Sequence, residues 1–499
     1  MFGGDEVAAL VLDIGSSTTR IGFAGEDTPK SVMPSCVGAR VEPAKASGAV
    51  GSSASANEAA MDLEDPVHHS GAGKSRYIVG SGALCVSRPH VELTPIMHHG
   101  LITDWEGTQA ILNHAFTSVL QVDPSQHPLL FTESVFNTRS AREKLTELAF
   151  ETYGAPAYFV AKDAVLSTYA VGKPSGVVLS SGGSVTTASV VSDGYVLQKT
   201  VVRNHAIGGN SLNKVLHHLV EAAGGRVTPR HGFKLVTDDE GNTTVEYTDD
   251  IRVTHSYDSF TRSALLDDIK RSVCAFAPAD AFGASTGSVP VVPYELPDRT
   301  VLDLGPERFL VPEVLFRPRW FYEDRFRPHA TASEPVAMDT GEDSVAAASR
   351  LPAAPPLTPD DSIRKPEWLS KPGTRYNDAD PISGDLGHRD DSLGVHEMVY
   401  KSVSLADVDL RRDLFGSVIV TGGNTLFPDF TPRLRKHLAP LLPQTFKVKV
   451  SSINTPTEQR FAPWIGGSIM ASLGSFHSLW ISKQEYEEHG AALVHKKCP

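Results

Sequence analysis

A chain of 499 residues is too long for one small core and should divide into two or more lobes. Its 40% hydrophobic and 21% charged residues are ordinary for a globular protein, and a formal charge of −13 argues against general affinity for the nucleic-acid backbone, which needs clustered Lys and Arg. Basic protein partners fit better. The four cysteines, Cys36, Cys85, Cys274 and Cys498, are scattered without a CxxC pair, so neither a disulfide framework nor a zinc site is indicated and a reducing compartment is expected. The start MFGGDEVAALVLDIG is acidic and then strand-like, which is wrong for a signal peptide, and no apolar run reaches the ~18 residues of a membrane span. The expectation is a soluble intracellular protein.

Residues 8–25, AALVLDIGSSTTRIGFAG, predict a strand, a small-residue turn and a returning strand. Asp13 ends the apolar strand, Gly15 permits the turn, Ser16 and Ser17 supply amides and hydroxyls, and Arg20 follows on the return. A concave turn of this kind can cradle a phosphate, with a carboxylate holding a cation through water and a basic group covering the charge, although most DxGS turns are purely structural. Residues 40–75 are rich in Ala, Gly and Ser with no aromatic residue and read as a mobile loop. His68, His69, His98 and His99 are paired without partners at metal-ligand spacing, so solvated or core roles are expected.

Thr103 with Glu106, and Ser140 with Glu143, have capping-box spacing before WEGTQAILNHAFTSVL and KLTELAFETYG, the latter stopped by Gly154. DAVLSTYAVG predicts a third helix. GVVLSSGGSVTTASVV, residues 176–191, repeats the first hairpin's grammar around Gly182, Gly183 and Ser184 but carries no acidic residue; Asp13 and Ser180 lie 167 residues apart. NSLNKVLHHLVEAAGG and FTRSALLDDIKRSVCAF predict further helices. Asp238, Asp239 and Glu240 read as a solvated turn. Strands followed by helices, twice over, make an α/β fold with two similar lobes facing a shared cleft.

Residues 317–394 hold ten prolines among Asp, Ser and Ala, which disfavours packed helix or sheet. Trp320, Phe321, Tyr322 and Trp368 within it are expected to pack locally. SVIVTGGNTLFPDFTPRLRKHL then predicts a buried strand running into Gly422 and Gly423 and a helix with Pro432 in its early turns, a place where a flat base or ribose can approach bare backbone. Trp464 and Trp480 are expected in the core.

The series DIGSSTTRIGFAGED, HPLLFTESVFNTRSAREKLTELAFETYGAPAYFVAKDAVLSTYA, TGGNTLFPDF, PWIGGSIMASLGSF and WISKQEYEEHGAALVHKKCP resembles the actin family from end to end, outside the two insertions and a divergent stretch near 226–258. The opening GGDEVAALVLDIGSSTTRIGFAGEDTPK resembles the family's nuclear class more than conventional actin. The resemblance implies an actin-like ATPase fold, two pseudo-symmetric lobes of four subdomains around a nucleotide cleft, with ATP and Mg bound. Subdomain 1 would comprise 1–34, 95–170 and 462–499; subdomain 2 would be 35–94 with the 40–75 insert; subdomain 3 would be 171–208 and 395–461; subdomain 4 would be 209–316; and 317–394 would be a mostly disordered insertion. It puts Asp13, Gly15, Ser16, Ser17 and Arg20 on the first phosphate loop, with Asp13 holding the metal through water and Arg20 standing where the family has lysine. Gly182, Gly183 and Ser184 fall on the second loop. Gly422, Gly423, Asn424 and Phe427 fall on the adenosine wall, Lys270 on the adenosine-contacting helix and Arg460 near the base.

Where the family has aspartates this chain has Ser180 and Gly183, where it has a histidine this chain has Thr187, and the water-positioning glutamine aligns with Asp163. Hydrolysis of a phosphoanhydride needs the cation and an oriented water. The expectation is therefore ATP bound structurally, no catalytic residues and little or no hydrolysis. Asp163 reads as an exposed residue at a helix start, favourable beside the helix dipole, with a role as a base left open.

The resemblance further implies a nuclear, non-enzymatic subunit of chromatin remodelling, histone-exchange and histone acetyltransferase complexes, paired with nuclear actin on a basic scaffold helix of the remodelling ATPase or acetyltransferase scaffold, with possible histone contact. No membrane and no sequence-specific nucleic acid would be bound. The alternative is a filament-forming or filament-regulating ATPase, opposed by inserts at 40–75 and after Phe316, where filament contacts would form. A sugar kinase or heat-shock-type chaperone on the related fold is less suited, for want of the second-loop carboxylate and of a following substrate domain.

Overall fold

A computed structural model describes residues 8–41, 77–237, 243–248, 253–277, 290–305, 307–318, 388–453 and 455–499. His68 and His69, the acidic cluster Asp238, Asp239 and Glu240, and the aromatics Trp320, Phe321, Tyr322 and Trp368 lie outside the described residues, as does nearly all of both expected insertions.

The first lobe is a six-stranded sheet in the order Ile481–Ser482, Ala157–Lys162, Leu129–Glu133, β1 (Leu10–Ile14), β2 (Thr18–Phe23) and Ser31–Pro34. β1 and β2 are antiparallel, while Leu129–Glu133 runs parallel to β1 on its other side. A small three-stranded sheet continues this lobe, with Cys36–Arg40 between Tyr77–Ile78 and β3 (Val91–Pro95). The second lobe repeats the plan. β4 (Gly176–Ser181) and β5 (Thr186–Ser192) form the antiparallel hairpin and β6 (Val418–Thr421) runs parallel to β4, with Val450–Ser452 beyond β6 and Val202–Asn204 and His388–Arg389 beyond β5. The duplicated grammar of the two hairpins is thus a duplicated sheet core.

The helices that matter for the site are α1 (Trp105–His114), α2 (Arg139–Glu147), α3 (Asp163–Val171), α4 (Gly209–Ala222), α5 (His255–Val273) and α6 (Pro456–Ser472), with others between. Both capping boxes expected in this region are displaced. Asp104 caps α1 by accepting from the Gly107 amide, and Thr138 caps α2 by accepting from the Ala141 amide. A carboxylate adjacent to the first turn outcompetes the Thr103 hydroxyl, which turns to the Ile96 carbonyl. Ser140 lies inside the first turn of α2, and Glu143 bonds His495 instead. Genuine capping boxes occur at Thr455 with Glu458 and Ser482 with Glu485. α1 and α2 each run on into a wider π-helical segment, Ala115–Leu120 and Leu148–Thr152.

β4 is buried on both faces, which explains its unbroken apolar run. Val177 and Leu179 enter the core of the second lobe, and Val178 joins the core of the first. The chain passes between lobes at α3 and again at α6. These helices cross where Gly466 meets Leu166: a Cβ on Gly466 would stand 1.8 Å from the Leu166 carbonyl oxygen. Trp464 beside it is buried, its indole N–H donating to the Val11 carbonyl, and Trp480 is buried too.

The expected insertion at 317–394 gives way to ordered structure by His388, which pairs with Val202, and Leu393 is buried. Its two ends meet, since a Cβ on Gly394 would lie 2.1 Å from the Phe316 carbonyl oxygen. At this junction His396 stacks on Phe316 and His437 packs against both, with ring centroids 5.8 and 5.0 Å from Phe316. Arg433 reaches across to Glu313 at 2.5 Å. Burial, then the surrounding cations, push both histidines down to about 3.

Because the folded pKa values lie below the ordinary histidine value, the unfolded chain binds the extra protons and stability is lost as pH falls from about 6.5 toward 3. Urea unfolding should show a loss of about 2 kcal/mol or more between pH 7 and pH 5. The His396→Gln, His437→Gln double variant should be flatter over that range; an unchanged slope would place the titration elsewhere.

Candidate functional site

The three glycine turns open onto one cavity of roughly 1210 Å³ between the lobes, above the ~300–1,000 Å³ usual for small-molecule sites. In the first turn the Gly15 amide donates to the Thr18 carbonyl at 3.1 Å. The hairpin register sets Asp13 opposite Arg20, and their side chains form an ion pair, while the Thr132 hydroxyl donates to the other Asp13 oxygen at 2.6 Å. Asp13 is therefore buried with both oxygens engaged.

The second turn is closed by the Gly182 amide on the Val185 carbonyl. Its carbonyls are taken from behind: Gly182 by the Gly209 amide and the Asn424 side chain, Gly183 by the Asn210 amide. The opposite side of the turn faces the cavity and the first turn. Ser184 donates to Ser16 at 2.6 Å, and a Cβ on Gly183 would sit 1.9 Å from the Ser17 hydroxyl. At the third turn Gly422 has φ +95°, and a Cβ there would fall 2.2 Å from the Ser181 carbonyl oxygen. A Cβ on Gly423 would meet nothing within 4 Å, so this bare backbone borders open space.

Asp13, Gly15, Ser16, Ser17, Arg20, Gly182, Gly183, Lys270, Gly422, Gly423, Asn424, Phe427 and Arg460 all line this cavity. Ser184 is not among its lining residues; its hydroxyl ties the two loops together. Lys270 is buried, and its ammonium is spent on Asp267, Asn213 and the Gly209 carbonyl. It fixes α5 against α4 and offers the cavity chiefly its stem. Arg20 and Arg460 both pack on the ring of Phe461, at 5.3 and 5.5 Å from its centroid, so one aromatic residue spaces the two guanidinium groups.

Asp163 departs from the sequence expectation. It is half-buried on the cavity wall at the start of α3, where its carboxylate accepts from the Ala164 amide at 2.8 Å. Burial, with Asp13 and Glu133 nearby, pushes its pKa up to about 7. Glu133 is itself neutralised, pairing with Arg142 at 3.1 Å and accepting from Asn137 at 3.0 Å. Asp163 forms no ion pair among the described residues. Thr132 and Glu133 were not singled out by sequence, although LLFTE brings polar residues to the end of an apolar strand much as LVLDI brings Asp13. Asn213, Asp267 and Arg271 also line the cavity; they sit on amphipathic helices where polar residues carry no distinctive spacing.

The actin family model matches residues 4–499. The chain belongs to the actin family. It is 36% identical over 499 residues to Actin-related protein 4 of Arabidopsis thaliana, with both chains fully covered. It is 35% identical to Actin-related protein 4 of Oryza sativa subsp. indica, again over the whole of both chains, and 32% identical to that of Mycosarcoma maydis, covering all of this chain and 99% of the relative. Family membership implies an adenine nucleotide with a divalent cation in the cleft, and the glycine-lined cradle, the bare backbone at Gly423 and the two guanidinium groups fit such a ligand.

Replacing Gly422 by Ala combines a positive φ with a clash against backbone that cannot rotate away, and should cost about 2–4 kcal/mol in thermal or urea unfolding. Asp163→Asn should have the opposite sign. The folded pKa of Asp163 is raised, so its ionisation destabilises the fold as pH climbs from about 4 through 7. The nucleotide-free Asn variant should gain about 4 kcal/mol over the native chain at pH 8 and well under about 1 kcal/mol at pH 4, which differential melts at the two pH values will check.

Proposed function

We propose that this chain binds ATP as a structural ligand that holds its two lobes together, hydrolyses it little or not at all, and serves in the nucleus as an actin-related subunit of chromatin remodelling and histone acetyltransferase complexes. The observation that carries the first part is the side-chain chemistry at the phosphate end. The second lobe contributes Ser180, Gly182, Gly183 and Thr187 to the cavity there and no carboxylate. When bound, a divalent cation would neutralise phosphate charge; Asp13, with Asp163, which forms no ion pair among the described residues, would hold its water shell from the first lobe. The two serine turns would receive the phosphates, Arg20 would balance their charge, and Gly422, Gly423 and Phe427 would border the nucleoside. The β4–β5 turn brings neither a carboxylate nor an imidazole to the phosphate end, so that turn offers no group to orient a water for attack. Asp163 lines the cavity with its pKa raised to about 7, so residual turnover would pass through it.

The partner reading draws on the full-length similarity to proteins named Actin-related protein 4, on the charge of −13, which suits a basic scaffold helix or histone tails, and on apolar residues exposed near the crossing of α3 and α6. Tyr169 at the end of α3, Ile469 and Leu473 at the end of α6, and Leu479 just beyond are all exposed. Such residues suit the apolar face of an amphipathic helix, with nuclear actin on the same scaffold.

Denaturing the purified protein and chromatographing what is released should yield intact ATP near one per chain; steady phosphate release on turnover would defeat the non-hydrolytic reading. Tagged protein recovered gently from nuclear extract should carry actin and a large remodelling ATPase or acetyltransferase scaffold. Recovery with cytoskeletal partners, or stoichiometric pelleting with filaments at polymerising salt, would favour a filament-regulating ATPase instead.

A further inference from the structure

The nucleoside wall ends in Phe427, whose ring has no polar group to fix it. The turn that carries it is pinned at its start: the Gly422 amide donates to the Gln459 carbonyl at 3.1 Å, and the Gln459 side chain donates to the Thr425 hydroxyl at 2.6 Å. At the far end of the turn the Phe427 ring, 9% exposed, meets Phe276 in a T-shaped contact, with centroids 6.0 Å apart and planes at 75°. Ring packing, and not a hydrogen bond, therefore sets how Phe427 borders the cavity.

Phe276 itself does not line the cavity. It lies just past α5 and leads away from the ligand, with its centroid 5.4 Å from Phe316 and 6.2 Å from Phe430. Phe316 in turn carries His396 and His437 at the root of the 317–394 segment. Arg433 lies over both Phe276 and Phe316, 5.5 and 5.7 Å from their centroids, and is held there by Glu313, whose side chain is 2% exposed. A guanidinium kept over two rings by a buried carboxylate clamps them together. The rings thus run without a break from the cavity wall to the place where the described chain leaves at Pro318 and returns at His388. Burial keeps both histidines neutral, so they extend the run as packed rings and not as charges.

We propose that Phe276 is a positioning residue for the nucleoside: it passes the packing of this junction to Phe427, so that an ordered junction and a bound nucleoside favour one another. The proposal rests on the ATP reading above and concerns the nucleoside end alone. The glycine turns at the phosphate end lie outside the ring cluster, so their contacts are independent of it. By linkage the effect is reciprocal, and nucleoside binding tightens the junction.

Titrating the nucleotide-free, full-length protein with Mg-ATP and with magnesium tripolyphosphate separates the two ends of the ligand. The native chain should bind ATP more tightly. Phe276→Leu, which keeps apolar bulk and loses the ring, should weaken ATP about five- to tenfold and leave tripolyphosphate within about twofold. Glu313→Gln, which is not on the cavity wall, should show the same split to a smaller extent. Leu414→Ala opens a void elsewhere in the same core; it should lower the melting temperature and produce no split, which distinguishes positioning from general loss of stability. In amide exchange, ATP but not tripolyphosphate should slow the Arg317 amide, which donates to the Glu313 carbonyl at 2.8 Å, and Phe276→Leu should abolish that effect. Unchanged ATP affinity in Phe276→Leu, equal weakening of both ligands, or the same split in Leu414→Ala would overturn the positioning role and leave the ATP reading standing. A native chain that binds no ATP would defeat that reading and this role with it.

Discussion

The packing of α3 against α6 at Gly466 is the constraint on which the rest depends. Among the described residues the chain crosses from one lobe to the other along these two helices, and they approach so closely that a single methyl group at Gly466 would collide with the Leu166 backbone. Close-packed backbone is stiff, so the crossing acts as a fixed hinge and not as a linker. It also delivers the site. Asp163 begins α3 and Arg460 lies in the early turns of α6, so the geometry that joins the lobes sets one acidic and one basic group on the cavity wall.

From that hinge the two hairpins face one another. Each is an antiparallel pair with a parallel strand beside its first member, and the repetition explains why two tight turns, far apart in sequence, meet tip to tip. Their chemistry is unequal. The first turn is anchored by an ion pair and a threonine, giving it a charged, buried base at Asp13; the second is anchored through its own carbonyls and is neutral. A ligand bridging them would take its electrostatic complement almost wholly from the first lobe, and the second would add amides and hydroxyls.

Closure at the opposite rim completes the logic. A hinge alone leaves a cleft free to gape, and the contacts of β3 with α5 supply the second fixed point. Two lobes held at both ends around a large cavity form a frame. The buried histidines at the root of the 317–394 segment belong to a different device, a packed junction whose neutrality depends on being kept from water.

The sequence by itself determined the two-lobed α/β plan, both hairpins, the strand into Gly422 and most of the cavity's lining, because period-two apolar runs and glycine turns are local signals. The resemblance to the actin family rested on contiguous motifs of the same kind. What only the tertiary structure decided were matters of juxtaposition. Asp163 reads as a plain helix start until burial beside Asp13 and Glu133 raises its pKa, and Ser184 reads as a phosphate contact until it bonds Ser16 from the other lobe. Glu133 needed Arg142, Lys270 needed Asn213 and Asp267, and β3 needed Ser256, partners from 3 to more than 160 residues away. Local pattern fixes which faces are apolar and where the chain turns; the protonation and pairing of a polar group depend on its dielectric surroundings and on neighbours that only folding brings within reach.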